Sequence, residues 1–161
     1  MQPLNGRWLP RSLFRWAAVA AGALLPACAI APRSGPSHAP LGRFEISGPT
    51  LGRQTLAPTS CAAGERQVFL GVDLLDEATG IVTRLVVDPA TGPVVRVFKA
   101  SAPFDASVLF HRSECRVFHF SLDSTGWRIN HIDELRMSLE LDCQLSSGDS
   151  IVGTASDPGC S

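Results

Sequence analysis

Apolar and polar residues alternate with a period of two along the second half of this chain. The segment Glu134–Cys143 has apolar residues at its odd positions: Leu135, Met137, Leu139, Leu141 and Cys143. Because successive side chains of a strand point to opposite faces, this pattern predicts a strand with one buried face. The same alternation predicts a strand at 115–122. We expect at most one helical turn, at about 131–135 with Asp133 as its N-cap, before the strand at 135–143.

Turn signals separate the predicted strands. Asp76–Gly80 and Asp88–Gly92 share the pattern Asp-x-Ala-Thr-Gly. An Asp that caps the turn and a Gly with positive φ are typical of short hairpin loops. The strands of the resulting meander are predicted at 67–75, 81–87 and 93–99, and a further turn at 146–149 predicts a later hairpin. A calcium ion shared by two Asp-rich turns is the alternative, but neither turn has the acidic density of a calcium loop.

Short strands separated by regular turns are typical of a β-sandwich or a small barrel. We predict an all-β fold over residues 44–161, a small antiparallel β-sandwich with a hairpin meander. Trp127 lies between Gly126 and Arg128, a few residues after the strand predicted at 115–122. We expect Trp127 to be a core residue beside Ile129, and an exposed platform that contacts a ligand is the alternative.

The N-terminus has the layout of a secretory signal. Arg7, Arg11 and Arg15 precede an uncharged apolar run at 16–27, and no acidic residue occurs before Glu45. A transmembrane helix needs about 20 residues, so this run is too short to remain as an anchor. Residues 1–27 are therefore predicted to be a cleaved signal peptide.

The segment Leu24-Leu-Pro-Ala-Cys28 resembles the lipobox of bacterial lipoprotein precursors. The resemblance implies that Cys28 is lipidated and anchors the mature protein in a membrane. An ordinary signal cut near Ala27 is the alternative. Ala29 after the lipidated Cys implies sorting to the outer membrane, with the leaflet open. Residues 28–43, rich in Pro, Ser and Gly, are predicted to be a disordered tether with a reach of roughly 20 Å.

The later part of the chain also resembles small envelope lipoproteins of GC-rich Gram-negative bacteria. The residues that carry this likeness are Trp127-Arg-Ile-Asn130, Leu139-Glu-Leu-Asp-Cys143 and Cys160. No known activity comes with the resemblance.

Five cysteines leave one without a partner unless it has another role. With Cys28 assigned to the lipid, Cys61, Cys115, Cys143 and Cys160 can form two disulfides in an oxidising compartment. Three pairings exist, and the predicted strands favour Cys61–Cys115 and Cys143–Cys160. A zinc site made by Cys115, Cys143, His111 and His119 is the alternative, but no close pair of ligands supports it.

Charge and side-chain chemistry exclude some classes of function. Removal of residues 1–27 takes away three arginines and leaves eleven basic and fifteen acidic residues. The mature chain then has a net charge near −4. No basic stripe is present, so we expect no nucleic-acid partner. Ser107, Ser113 and Ser121 lie near His111, His119, Asp105 and Glu114 in sequence, but none stands in a Gly-x-Ser-x-Gly motif. We therefore predict no enzyme activity and no cofactor.

Three functions remain as hypotheses. The first is a binding or structural module that recognises another envelope protein or a glycan, with Trp127 as the candidate contact residue. The second is a carrier of a small hydrophobic ligand, which needs a large apolar cavity. The third is an envelope hydrolase, which needs a cleft that brings together His111, His119 or His131 with nearby carboxylates.

Overall fold

The computed structural model describes residues 39–102 and 106–161, which form ten β-strands. The predicted signal peptide, Cys28 and the tether as far as residue 38 lie outside these residues. Within the described residues the strands form two antiparallel sheets of five, which confirms the predicted all-β sandwich. No helix of the described part is long and apolar enough to span a membrane.

The first sheet, sheet I, has the strand order β2-β1-β10-β9-β8. Its strands are β1 Gly42–Ser47, β2 Gln54–Leu56, β8 Cys115–Ile129, β9 Ile132–Gln144 and β10 Ser150–Cys160. β1 begins two residues before the predicted domain start and pairs with the first half of β10, with Gly42 opposite Ala155. A Cβ at position 42 would lie 2.1 Å from the Thr154 carbonyl oxygen, which is too close for any side chain. This position therefore requires glycine.

The second sheet, sheet II, is a meander in the order β3-β4-β5-β6-β7. Its strands are β3 Ser60–Ala63, β4 Gly71–Asp76, β5 Ile81–Asp88, β6 Gly92–Lys99 and β7 Val108–His111. The predicted strands at 81–87 and 93–99 are confirmed. The strand predicted at 67–75 begins only at Gly71, because a 3-10 turn at Gly64–Gln67 precedes it.

The two Asp-led turns of the meander have the predicted structure. The Asp76 carboxylate accepts hydrogen bonds from the Ala78 and Thr79 N–H groups at 2.9 and 3.2 Å. The Asp88 carboxylate does the same for the residues at 90 and 91, at 2.7 and 3.0 Å. The closing glycines have φ values of 67° and 79°. These carboxylates therefore cap their turns.

The long β8–β9 hairpin was only partly predicted. The helical turn expected at about 131–135 is wrong, because β9 begins at Ile132 and stays extended. Asn130 and His131 form a two-residue turn, with φ values of 53° and 69°. Positive φ at both central residues is the hallmark of a type I′ turn, and Asn and His are enriched in that region. Ile129 therefore pairs with Ile132 across a tight hairpin.

The core lies between the two sheets and follows the period-two pattern. The inward residues of β9, from Leu135 to Cys143, are all buried, and the residues between them are exposed or half-buried. The largest fully buried side chains come from both sheets: Phe44, Phe110, Ile46, Leu56, Leu74, Ile81, Leu85, Met137, Leu139, Leu141 and Ile151. Their burial supplies the main stabilising free energy, about 1.5–3 kcal/mol for each large side chain.

The disulfides are Cys61–Cys160 and Cys115–Cys143, so the predicted pairing is wrong. Cys115 lies directly opposite Cys143 in the β8–β9 register, a neighbourhood that the sequence did not reveal. Cys61 on β3 bonds to Cys160 on β10 and thus links sheet II to sheet I. The bond between Cys115 and Cys143 also contradicts the zinc alternative, since a disulfide has no thiolate to offer a metal.

Candidate contact surface at the hairpin tip

Trp127 is 74% exposed, so its predicted role as a core residue is wrong. The cause is a bulge in β8. Ser124 pairs with Leu135 and Arg128 pairs with Asp133, which leaves three residues of β8 opposite the single residue Glu134. Extra residues in one strand bend it and redirect its side chains. The bulge therefore turns the indole out of the sandwich.

Local hydrogen bonds hold the bulge in shape. The Ser124 hydroxyl accepts the Gly126 N–H at 3.2 Å, and Thr125 Oγ1 accepts the Trp127 N–H at 3.3 Å. Thr125 Oγ1 also donates to Glu134 Oε2 at 2.7 Å. Gly126 has a φ of 84°, a conformation that costs little only for glycine. Each residue of Ser-Thr-Gly thus has a part in presenting Trp127.

A second exposed segment lies beside the hairpin tip. Val68 is 95% exposed and Leu70 is 54% exposed, and both follow the 3-10 turn at Gly64–Gln67. The Asp133 N–H donates to Glu65 Oε2 at 3.1 Å, which joins this turn to the hairpin. A surface cavity of about 310 Å³ opens beside Glu65 and Val68.

Val68 is exposed because both of its neighbours are fixed to sheet II. Gln67 Nε2 donates to Asp73 Oδ2 at 3.1 Å and Gln67 Oε1 accepts a hydrogen bond from Arg84. The Arg84 guanidinium lies 4.4 Å from the centre of the Phe69 ring. Between these anchors Val68 adopts a φ of 65°, which is unfavourable for a β-branched residue. The strained backbone directs its side chain into solvent.

We define the end patch as Val68, Leu70, Trp127 and Ile129. Among the described residues, five large apolar side chains are exposed, and the end patch holds all of them but Val152. Scattered apolar residues are normal on a surface, but concentration on two adjacent segments is characteristic of a contact site. The end patch is therefore the candidate functional surface.

Charged groups surround the end patch. Arg128 pairs with Asp133, and Glu65 and Glu134 lie close by. The hydrogen bond from Arg128 lowers the pKa of Asp133, and the hydrogen bond to Asp133 raises the pKa of Arg128. Glu65, Asp133 and Glu134 supply carboxylates beside the patch, and Arg128 supplies a guanidinium.

The outer face of sheet II has a second cavity, of about 340 Å³. Arg84 Nε donates to Asp73 Oδ1 at 2.7 Å, and both side chains are mostly buried. Arg96 lies opposite Arg84 in the β5–β6 register and donates to Ser107 Oγ at 3.2 Å. Burial, and then the charge of Arg84, lower the pKa of Arg96. The Arg84–Asp73 ion pair holds Gln67 and Phe69 on the outer face of sheet II.

The structure places the predicted histidines on different elements. His111 ends β7 on sheet II, where its backbone N–H donates to Glu114 Oε2 at 2.9 Å. His119 lies in the middle of β8, with Nδ1 3.5 Å from Glu140 Oε2. His131 occupies the tight turn. Ser113 and Ser121 are exposed, and Asp105 lies outside the described residues.

The class defined by this fold and surface is a disulfide-linked antiparallel β-sandwich with an exposed apolar end. Comparison with known proteins finds no matching family model, no matching curated protein and no matching solved structure.

Proposed function

We propose that the protein is a lipid-anchored protein of the bacterial envelope that works as a binding module, with the end patch as its contact surface for a partner protein. One observation carries this proposal. Four of the five exposed large apolar side chains of the described residues lie on two segments, 68–70 after the 3-10 turn and 127–129 in β8. The Glu65–Asp133 hydrogen bond links that turn to β9, the partner strand of β8. Burying such side chains against a partner is favourable, whereas leaving them in water is not.

The chemistry of the patch favours a protein over a glycan or a lipid surface. A Trp among aliphatic residues with a charged rim is the usual composition of a protein interface core. The side chains of Val68, Leu70 and Ile129 offer no hydrogen bonds to sugar hydroxyl groups. Glu65 and Glu134 place carboxylates beside the patch, where the headgroups of an anionic bilayer would approach.

The anchor belongs to the same proposal. Cys28 would carry the lipid after removal of residues 1–27, and Ala29 would direct the protein to the outer membrane. Thirteen residues separate Cys28 from Gly42, the first residue of β1. Such a linker reaches roughly 20 Å, enough to hold the sandwich clear of the lipid headgroups. Two disulfides support an oxidising compartment.

Intact mass spectrometry of the chain extracted from membranes tests the anchor. We expect the mass of residues 28–161 plus acyl groups, and an increase of four hydrogens on reduction of the two disulfides. A mature mass without acyl groups would contradict the anchor at Cys28.

Site-specific photo-cross-linking tests the contact surface. A photoreactive residue at Trp127 should give one discrete protein adduct in the intact envelope, and Val68→Asp should weaken that adduct. The control is the same photoreactive residue at Val152, the exposed apolar position outside the patch. The same adducts from both positions would contradict a role for the patch. Adducts with lipid or polysaccharide alone would show a different class of partner.

A further inference from the structure

The edge of sheet I formed by β8 differs from the other sheet edges of the described residues. The edge strands β2, β3 and β7 have three, four and four residues, whereas β8 has fifteen. An edge strand presents unpaired N–H and C=O groups, and short edges limit unwanted pairing. Within the described part of the chain, β9 is the one partner strand of β8. Its other side can accept a further strand.

The central part of β8 lacks the usual protection against pairing. Bulges lie near both ends of the strand, and the register is regular from Val117 to Ser124. These eight residues span about 26 Å. They include no Lys, Arg or Pro, which commonly guard an edge, and Asp123 is their one carboxylate. Phe120 and Leu122, which face the core, remain only half-buried at this edge.

We propose that β8 pairs antiparallel with β8 of a second copy of this chain, with Ser121 on the two-fold axis. This pairing would join two five-stranded sheets into one continuous sheet. It would place Phe120 opposite Leu122 of the second copy on the core side, and cover both half-buried side chains. On the outer side, His119 would lie opposite Asp123 of the second copy. Because the pairing is symmetric, each of these contacts forms twice.

The choice of register follows from the side chains. Core-facing residues of one copy must lie opposite core-facing residues of the other. This holds whenever the two-fold axis passes through a residue of β8, so the alternative registers are those with the axis at a neighbouring residue. An axis at Phe120 would place Val117 opposite Asp123, and an axis at His119 would place two histidines opposite each other. An axis at Ser121 pairs an imidazole with a carboxylate and an aromatic ring with an aliphatic chain. Such cross-strand pairs stabilise a sheet, whereas like charges oppose it.

Oxidative cross-linking of the full-length chain, purified in a mild detergent, tests this pairing. Ser121→Cys places two thiols opposite each other at the axis, within disulfide range. The matched control is Ser138→Cys, an exposed residue opposite Ser121 on β9, for which the two copies would lie about 15 Å apart. We expect a reducible covalent dimer that is about tenfold more abundant for Ser121→Cys. Equal yields, or no dimer from Ser121→Cys at equal thiol labelling, would overturn the proposal.

A charge exchange tests the register. In the Ser121→Cys background, His119→Asp and Asp123→His should each reduce the dimer yield, because like groups then face each other. The double variant restores the opposite pair and should recover the yield. Circular dichroism checks that each variant is folded. A double variant as weak as the single ones would overturn the proposed register. No residue of the end patch takes part, so this outcome leaves the proposed function unaffected.

Discussion

At the scale of single residues, Gly126 decides where the indole of Trp127 points. Its φ of 84° lets β8 take up the extra residues opposite Glu134. A Cβ at this position would meet no atom within 4 Å, so space is not the constraint. The backbone conformation alone favours glycine.

Gly126→Ala should therefore destabilise the fold by about 1–2 kcal/mol, the cost of a left-handed conformation for an L-residue. Urea unfolding followed by fluorescence measures the change. Gly126→Asn is the control, because Asn tolerates this region better and should cost less. Equal stability of Gly126→Ala and the unmodified chain would show that the bulge does not depend on positive φ.

The pKa of Asp88 gives a pH dependence. Hydrogen bonds from the N–H groups of Thr91 and then Ala90 lower the pKa of Asp88 from its ordinary value of 3.8. The ionised carboxylate therefore stabilises the fold above pH 3.8, and this contribution is lost as the pH falls through the lower pKa of the folded state. Asp88→Asn should lose less stability on acidification in pH-dependent urea unfolding. An acid loss as large as in the unmodified chain would mean that Asp88 is not the titrating group.

At the scale of elements, the sequence predicted strands better than it predicted their partners. The alternation in β9 and the Asp-led turns after β4 and β5 are local signals, and the structure bears them out. The Asn130–His131 turn lacks the glycine that usually marks a two-residue hairpin loop, so the tight turn between β8 and β9 was missed. The bulge, the exposure of Trp127 and the position of Cys115 opposite Cys143 all depend on this β8–β9 pairing, so the sequence did not predict them either.

The two disulfides should differ in what they contribute to stability. Cys61–Cys160 closes a loop with a sequence separation of 99, against 28 for Cys115–Cys143. Loop-closure entropy then gives about 4.7 kcal/mol for the first and about 3.6 kcal/mol for the second. Removing the first by a double Cys→Ala change should cost about 1 kcal/mol more in urea unfolding. The reverse order would show that native contacts, not chain entropy, set the difference.

At the scale of the whole molecule, the Arg84–Asp73 pair connects the outer face of sheet II to the end patch. It holds Gln67 and Phe69, and so sets the position of Val68 between them. No local pattern in the sequence predicted this link, because Asp73 and Arg84 meet only through the β4–β5 register. The end patch as a whole was likewise hidden, since its two segments are far apart in sequence.

Arg84→Ala should destabilise the fold by about 3 kcal/mol, because it leaves the mostly buried Asp73 carboxylate without its cation. It should also weaken cross-linking from Trp127 if the end patch is the contact surface. Arg43→Ala is the matched control: Arg43 pairs with Glu45 on the surface, where an ion pair contributes little. Similar losses for both variants in urea unfolding would contradict the structural role of Arg84.

The disulfide between β3 and β10 has a consequence for how the protein is made. A chain emerges N-terminus first, so Cys61 and Cys115 are available before the native partner of either has appeared. The bond between these two early cysteines is the wrong one. Correct assembly must either keep Cys61 reduced while the following ninety-nine positions emerge or exchange an early mispaired bond later. The yield of native protein should therefore depend on a disulfide isomerase.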